Sequence, residues 1–251
     1  MALNEKVVLL TGASMGIGEA IAHALAGQGA RLALEKLKEL SQRLQTQNAG
    51  CKVTYYALDV GSHEAVDKGV AQAVKDLGQI DILINNAGLA LGTPARFPEL
   101  KISDIVTMNN TNVNGGEGTI LNITSTTALE APPFPGETVY HANKALQEAF
   151  TNALRNELNE TNIRVLALRP GVVATHFHTQ RVGFDKEMYD GFMKGFQPLL
   201  AEDVSEAAVF MLSQPLNRSV KALDVVPSAQ RSLNVFDRKW NERNGKEEAQ
   251  M

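Results

Sequence analysis

The stretch TGASMGIG, residues 11–18, directly follows the apolar run VVLL, residues 7–10, and this pairing decides the fold. A short apolar run bounded by a turn is typical of a strand buried on both faces of a parallel sheet. Glycines at 12, 16 and 18 allow a tight turn, and the N-terminus of a helix that begins there favours an anion such as a pyrophosphate. Because the spacing is G-x-x-x-G-x-G rather than G-x-G-x-x-G, the loop taken alone also fits a turn that binds nothing.

Strand-like and helix-like stretches alternate along the whole chain. Apolar residues recur at helical spacing between the strands, with Ser62 and Asp203 expected to cap the helices that follow them. This order predicts an α/β fold, a single Rossmann-type doubly wound parallel sheet flanked by helices. We expect residues 1–251 to form one dinucleotide-binding and catalytic domain, with a polar tail from about residue 237. The strand-like runs are Lys6–Thr11, Ala30–Leu34, Lys52–Leu58, Ile80–Asn85, Thr119–Thr124, Ile163–Leu168 and Val220–Val226.

Composition and charge exclude several classes of protein. Hydrophobic residues make up 44% of the chain, and the net charge is −4 without an evident basic patch, so we expect a packed core and no nucleic-acid partner. The single cysteine, Cys51, excludes an internal disulfide and suits a reducing compartment. No apolar stretch is long enough for a membrane span or a signal peptide, so we expect no membrane partner and a cytoplasmic location.

Further motifs follow the glycine loop. Asn85-Asn86-Ala87-Gly88 ends the fourth strand, Ser125 closes the fifth, and Tyr140-His141-Ala142-Asn143-Lys144 is a Y-x-x-x-K. Pro170-Gly171 ends the next strand, and Thr175 comes shortly after it. In this order, the motifs resemble the short-chain dehydrogenase/reductase family over nearly the whole chain. The C-terminal third looks most like the NADP-dependent 3-hydroxy acid (serine-type) dehydrogenases.

Tyr140 and Lys144 also have a chemical rationale of their own. Residues i and i+4 share a helix face, so the ammonium of Lys144 is expected beside the phenol of Tyr140. A free phenol has a pKa of about 10, and a neighbouring cation lowers it, which suits Tyr140 to act as general acid and base. Ser125 is expected to hold the substrate oxygen during this proton transfer. The motifs therefore predict an oxidoreductase that transfers a hydride between NAD(P) and a small alcohol or carbonyl, 3-hydroxy acids included.

The resemblance implies further assignments. Asn112 would complete a catalytic tetrad with Ser125, Tyr140 and Lys144 by holding a water molecule. A small-molecule substrate, NADP as cofactor and a homo-oligomer, either a dimer or a tetramer, are implied as well. The residues that match cofactor-binding positions of the family are Gly12, Ser14, Met15, Gly16, Ile17, Gly18, Asp59, Val60, Asn86, Ala87, Gly88, Tyr140, Lys144, Pro170, Gly171, Val173 and Thr175.

The end of the second strand leaves the choice between NADP and NAD open. Glu35 lies 17 residues after Gly18, near the position where NAD enzymes place a carboxylate on the ribose, and it would repel a 2′-phosphate. Lys36 would instead attract the 2′-phosphate and favour NADP. The residues themselves admit either cofactor, and the resemblance favours NADP.

The chain after Asn112 is shorter than in the family. Gly115-Gly116-Glu117-Gly118 and the next strand follow almost at once, where relatives have a long helix. A parallel crossover needs roughly a dozen residues or more. Either this helix is truly lost, or a segment is missing from the sequence. True loss would put the homo-oligomer in doubt and would favour an alternative function, a dinucleotide-binding sensor or scaffold without catalysis.

The segment after Thr175 corresponds to a substrate lid in the family. Arg181 within it is a candidate clamp for a substrate carboxylate, because a guanidinium makes paired hydrogen bonds to such a group. The alternative is an exposed lid arginine that faces solvent. His176 and His178 alternate, but no cluster of Cys, Asp or Glu accompanies them, so we expect no metal.

Overall fold

The computed structural model describes residues 3–35, 38–48, 51–56, 62–87, 117–134, 137–181 and 184–245. Seven of its strands form one sheet in the order β3-β2-β1-β4-β5-β6-β7, and every pairing between neighbours is parallel. The doubly wound parallel sheet predicted from the sequence is therefore confirmed. Its strands are β1 Val7–Leu10, β2 Arg31–Glu35, β3 Val53–Tyr56, β4 Ile82–Asn85, β5 Glu117–Ile123, β6 Asn162–Pro170 and β7 Ala222–Val225.

Helices flank the sheet on both faces, and we number those of the described ranges in chain order. Alternate residues of β1 enter different cores: Val8 and Leu10 pack with α1, α2 and α7, whereas Val7 and Leu9 pack with α3 and α4. This double burial explains why the strand is apolar at every position. The helices are α1 Gly16–Gly27, α2 Lys38–Gln47, α3 His63–Leu77, α4 Thr138–Glu157, α5 His176–Arg181, α6 Lys186–Met193, α7 Ala201–Leu212 and α8 Trp240–Arg243.

The strand order brings the predicted motifs to one edge of the sheet. β1 lies between β2 and β4, so the direction of winding reverses there, and open α/β sheets bind ligands at the carboxyl ends of the strands beside such a reversal. In the register of the sheet, Leu10 pairs with Ile84, and Ile123 pairs with Leu168. The segments that follow β1, β4, β5 and β6 therefore emerge side by side.

One of the two expected helix caps is correct, and the other is wrong. Ser62 caps α3 and accepts a hydrogen bond from the backbone N–H of Ala65 at 3.4 Å. Asp203 was expected at the cap of α7, but this helix begins at Ala201. The Asp203 carboxylate instead reaches back from the first turn and accepts from the backbone N–H of Leu200 at 2.7 Å. A carboxylate three residues into a helix accepts from the N–H of the cap residue, whereas a cap side chain accepts from N–H groups of the first turn; both positions favour Asp and look alike in sequence.

The segment beyond β7 includes a hairpin that the sequence patterns did not predict. Strands β8 Gln230–Ser232 and β9 Val235–Phe236 form an antiparallel hairpin, and α8 lies within the polar tail. Phe192 and Phe196, at and just after the end of α6, contact the ring of Phe236. This aromatic cluster attaches the C-terminal hairpin to the helices that follow β6. In the part of the chain that is described, no helix is both long and apolar enough to cross a membrane.

Candidate active site

The turn after β1 has a backbone that only glycine fits at two positions. Gly12 has φ +65°, and a Cβ there would lie 2.8 Å from the Cα of Ala87. A Cβ on Gly18 would lie 2.2 Å from the carbonyl oxygen of Gly12 and 2.4 Å from the side-chain nitrogen of Asn86. The glycines thus allow the first turn of α1 to press against the segment that follows β4.

Hydrogen bonds join the same two segments. The Thr11 hydroxyl accepts from the backbone N–H groups of Asn86 and Ala87, both at 3.1 Å. The side-chain amide of Asn86 donates to the carbonyl oxygens of Thr11 at 3.1 Å and Gly12 at 2.9 Å. Asn86 and Ala87 therefore act by shaping the glycine loop. The part played by Thr11 was missed, although a hydroxyl residue ending an apolar strand was a visible signal.

The start of α1 can receive an anion. Met15 occupies the cap position, is 57% exposed and makes no side-chain hydrogen bond to the helix, so the first N–H groups of α1 have no side-chain cap. Ser14 is exposed as well, and Ile17 packs against the core. A Cβ on Gly16 would lie 3.4 Å from the methyl group of Thr175, so the segment after β6 borders the same cleft.

Ser125 and Tyr140 meet beyond the end of β5. Ser125 caps a short 3₁₀ turn, Thr126–Ala128, and its hydroxyl accepts from the backbone N–H of Thr127 at 3.1 Å. The Ser125 side chain also interacts with the phenol of Tyr140, which lies in the first turn of α4, and lowers its pKa. The ring of Phe177 lies 5.6 Å from the ring of Tyr140, so α5 borders this tyrosine.

The electrostatics around Tyr140 differ from the sequence-based prediction. Burial raises the pKa of the Tyr140 phenol, and the Arg181 cation and the Ser125 side chain offset only part of that rise. Glu137 raises the pKa further. Lys144 was expected to lower this pKa, but its ammonium donates to the carbonyl oxygen of Ile123 at 3.2 Å instead. The cation that lowers the Tyr140 pKa is therefore the guanidinium of Arg181.

Lys144 is a buried ammonium with a partner that the sequence analysis missed. It donates to the side-chain oxygen of Gln147 at 3.0 Å. Burial lowers the pKa of Lys144 to about 8, because a charged amine loses hydration there. Gln147 lies three residues further along the same helix, and this spacing was a usable signal.

Arg181 is enclosed rather than exposed to solvent. Its side chain is 6% exposed, and its guanidinium carbon lies 5.2 Å from the ring centre of Phe134 and 5.9 Å from that of Tyr140. Both carboxylate oxygens of Glu137 face it: one pairs with Nε, and the other accepts from Nη2 at 2.7 Å. The candidate carboxylate clamp thus already holds a carboxylate from its own chain, and Glu137 was not singled out in the sequence.

The turn after β6 is held by a residue from the C-terminal hairpin. Pro170 ends β6, and a Cβ on Gly171 would lie 2.5 Å from the side-chain oxygen of Gln230. That oxygen accepts from the backbone N–H of Val172 at 3.1 Å. Val173 is buried and bridges to Leu199. Pro170, Gly171 and Val173 therefore form a supported edge of the cleft, and Gln230 was missed because it is distant in sequence.

Several predicted site residues lie outside the described residues. These include the tetrad candidate Asn112 and the whole shortened stretch after it. Glu35 does end β2, and the backbone pairs it with Tyr56. Within the described ranges, no three His, Cys, Asp or Glu side chains gather as a metal site would require. The other predicted positions outside the described residues are Lys36, Asp59, Val60 and Gly88.

Comparison with known proteins places this cleft in context. A family model described as enoyl-(acyl carrier protein) reductase matches residues 12–222. The NADP-dependent 3-hydroxy acid dehydrogenase of Schizosaccharomyces pombe is 34% identical over 94% of this chain and 98% of its own length. The serine 3-dehydrogenase of Rhizobium radiobacter is 32% identical over 88% of this chain and 93% of its own.

The solved structures that resemble this chain include dehydrogenases and reductases as well. The closed form of serine dehydrogenase complexed with NADP⁺ superimposes with a TM-score of 0.76 and 30% identity, covering 92% of this chain and 99% of that one. L-Sorbose reductase from Gluconobacter frateurii, complexed with NADPH and L-sorbose, superimposes with a TM-score of 0.77 and 28% identity. That match covers 94% of this chain and 100% of the reductase. The similarity therefore extends through the glycine loop, Ser125, Tyr140 and the lid.

Proposed function

The chain belongs to the short-chain dehydrogenase/reductase family, and from that premise we propose that it transfers a hydride between NADP(H) and a small alcohol or carbonyl substrate. The observation that carries the proposal is the placement of Ser125 beside the Tyr140 phenol, whose pKa the Ser125 side chain lowers. A protein that only binds a dinucleotide has no need of this pair, nor of the buried ammonium of Lys144 on the same helix. The catalytic reading is therefore preferred over a sensor or scaffold.

The residues at the cleft fit a dinucleotide. Gly12 and Gly18 leave space that a side chain would fill, and the exposed start of α1 offers N–H groups to a pyrophosphate. Thr175 and the turn at Gly171 would border the nicotinamide end. When bound, the cofactor supplies or accepts the hydride.

In the proposed mechanism, the protein moves the proton and holds the substrate. The Ser125 hydroxyl hydrogen-bonds the substrate oxygen and orients it toward Tyr140. In the reduction direction, the neutral phenol of Tyr140 donates its proton to that oxygen, and in oxidation the phenolate takes a proton back. Burial favours the neutral phenol, so the protein as it stands is better prepared to donate than to accept. The Arg181 guanidinium, which lowers the Tyr140 pKa, stabilises the phenolate when it forms, and the Lys144 ammonium would hold the ribose of the cofactor.

NADP rather than NAD is the proposed cofactor, with support from relatives that are named for it. Glu35, at the end of β2, is the residue that argues for NAD. The test is a fluorescence titration of the purified protein with NADPH and, separately, NADH. We expect tighter binding of NADPH. Tighter binding of NADH would reassign the cofactor, and binding of neither would contradict the proposed function.

Among small alcohols, we propose 3-hydroxy acids as substrates, with Arg181 as the group that meets the carboxylate. Its position 5.9 Å from the Tyr140 ring supports this role. Hydrogen bonds to charged groups contribute about 1.5–3 kcal/mol, so Arg181→Ala should raise KM for acids roughly ten- to a hundredfold. Neutral ketones should be affected much less. An equal effect on both classes would remove Arg181 from substrate binding.

We further propose that the protein works as a cytoplasmic homo-oligomer. On α4, Ala142, Ala149 and Ala153 are exposed, and Leu146 is 38% exposed. A small apolar face of this kind allows another helix to approach closely. Sedimentation analysis would test the oligomer: a monomer at every concentration would contradict it.

A further inference from the structure

Arg181 is held on more than one side. Glu137, at the cap position of α4, binds its Nε and Nη2 through both carboxylate oxygens. On the remaining nitrogen, Nη1 approaches Nδ1 of His178 at 3.5 Å. Burial, together with the nearby Arg181 charge, lowers the pKa of His178 to about 3, so this imidazole is neutral and can accept a hydrogen bond. The guanidinium therefore has partners from α4 and from its own helix, α5.

The pair that Glu137 makes has the geometry of ligand recognition. A guanidinium edge that donates two parallel hydrogen bonds to one carboxylate is the arrangement by which arginine binds carboxylate ligands. Here the carboxylate belongs to the residue three positions before Tyr140 in the chain. The Glu137 side chain is 10% exposed, and one of its oxygens also accepts from the backbone N–H of Phe134 at 3.4 Å. Glu137 is thus fixed where a substrate carboxylate would have to bind Arg181.

A substrate without charge does not disturb this pair, whereas an acid must compete with it. Separating a buried ion pair is costly because it leaves an uncompensated charge, and the displaced Glu137 needs hydration. An acidic substrate must offset this separation before it gains the bond to Arg181. The cost acts on the affinity for acidic substrates.

We propose that Glu137 is a specificity-determining residue that competes with the anionic group of an acidic substrate for Arg181 and so lowers the affinity of the site for acids. This inference rests on the proposed function, since it assigns the charge preference of that same site. Arg181 alone does not make the site selective for anions, because the net charge of the Glu137–Arg181 pair is zero. Removing the carboxylate exposes a positive charge beside the reactive hydroxyl.

The test compares a 3-hydroxy acid with its methyl ester, two substrates that differ chiefly in charge. The kcat/KM ratio of acid to ester is measured for the unaltered protein, for Glu137→Gln and for Glu137→Asp. We expect Glu137→Gln to raise this ratio roughly tenfold, mainly through a lower KM for the acid, because a competitor of like charge is removed. Glu137→Asp keeps the charge and should raise the ratio much less. NADPH titration and the melting temperature of each variant establish that it is folded.

A matched control is Glu64→Gln, which removes a carboxylate from an exposed ion pair with Lys68. Its acid-to-ester ratio should equal that of the unaltered protein. An unchanged or lower ratio in Glu137→Gln overturns the inference, since Glu137 would then hold Arg181 in its productive position or play no part. A purely structural role would move kcat/KM for acid and ester together. Turnover of neither substrate by the unaltered protein would instead contradict the proposed function, and the inference with it.

Discussion

Lys144 donates a hydrogen bond from its ammonium to the side-chain oxygen of Gln147, one turn further along α4, at 3.0 Å. A second bond, to the Ile123 carbonyl, directs the same ammonium toward the carboxyl end of β5. Both partners are neutral, so they orient the charge without compensating it. This explains why burial lowers the pKa of Lys144 as far as about 8.

Gln147 should therefore control the pH at which the reductase activity declines. We expect carbonyl reduction to depend on the Lys144 ammonium, and this form is lost as the pH rises through about 8. Gln147→Glu places an anion on the ammonium, raises its pKa and should move the alkaline decline of kcat/KM to higher pH. Gln147→Leu removes the acceptor and should move the decline to lower pH. The measurement is a pH–rate profile for reduction. Coincident profiles would exclude a positioning role for Gln147.

Tyr140→Phe removes the hydroxyl that meets Ser125 and keeps the ring beside Phe177. General acid–base catalysis typically raises a reaction rate by about 10²–10⁴-fold. We therefore expect turnover to fall by at least about 10²-fold, while NADPH affinity stays within about twofold. Steady-state NADPH oxidation and fluorescence titration provide the two readouts. Retention of most of the turnover would assign the proton transfer to another group.

Gly18→Ala tests the contact between the glycine loop and Asn86. The added methyl would lie 2.2 Å from the Gly12 carbonyl oxygen, so the loop must shift. Overpacking of this kind costs about 1–3 kcal/mol, and we expect a lower melting temperature together with weaker NADPH binding.

The matched control for that variant is Gly191→Ala in helix α6, where the new Cβ would have no atom within 4 Å. Alanine should stabilise this helix by about 0.5–1 kcal/mol and leave NADPH affinity unchanged. Equal effects of the two substitutions on the cofactor would contradict the steric account of Gly18.

His178 should contribute to acid sensitivity. Its folded pKa is about 3 against 6.5 for the unfolded chain, so between these values the unfolded state binds the additional proton. The free energy of unfolding should therefore fall as the pH drops below about 6.5, by up to about 1.4 kcal/mol per pH unit from this group.

Urea unfolding at several pH values checks this expectation. His178→Gln should flatten the acid dependence, whereas His176→Gln, at an exposed position of the same helix, should retain it. If both variants keep the slope of the unaltered protein, other groups cause the acid sensitivity.

The sheet was predictable because its central strands, β1 and β4 above all, are short apolar runs buried on both faces. The ends of elements were less so: β6 continues through Pro170, and α7 begins at Ala201 rather than after Asp203. Tertiary pairing decides such boundaries, because a strand ends where its neighbour ends. The strands of the β8–β9 hairpin are too short for an alternation of apolar and polar residues to be recognised.

Within the site, contacts between residues close together in sequence could be predicted, and contacts between distant residues could not. Tyr140, Lys144 and Ser125 are recognisable from spacing and chemistry, and the structure brings Ser125 and Tyr140 into contact. Gln147 lies on the same helix as Lys144 and could have been inferred from the helical repeat. Glu137 could not, because its partner Arg181 is 44 residues away and no local pattern relates them. Burial dominates the Tyr140 pKa, and it could not be predicted either, because it depends on residues that are distant in sequence.

The bond from Val172 N–H to the side chain of Gln230 has a consequence for reshaping the C-terminus. A chain cut before residue 230 would leave that N–H buried without its acceptor, next to the turn at Gly171. A chain cut after Arg243 keeps the acceptor and the whole of α8. Trimming or tagging at this end would therefore alter the turn that follows β6, and affinity tags belong beyond Arg243 on a spacer.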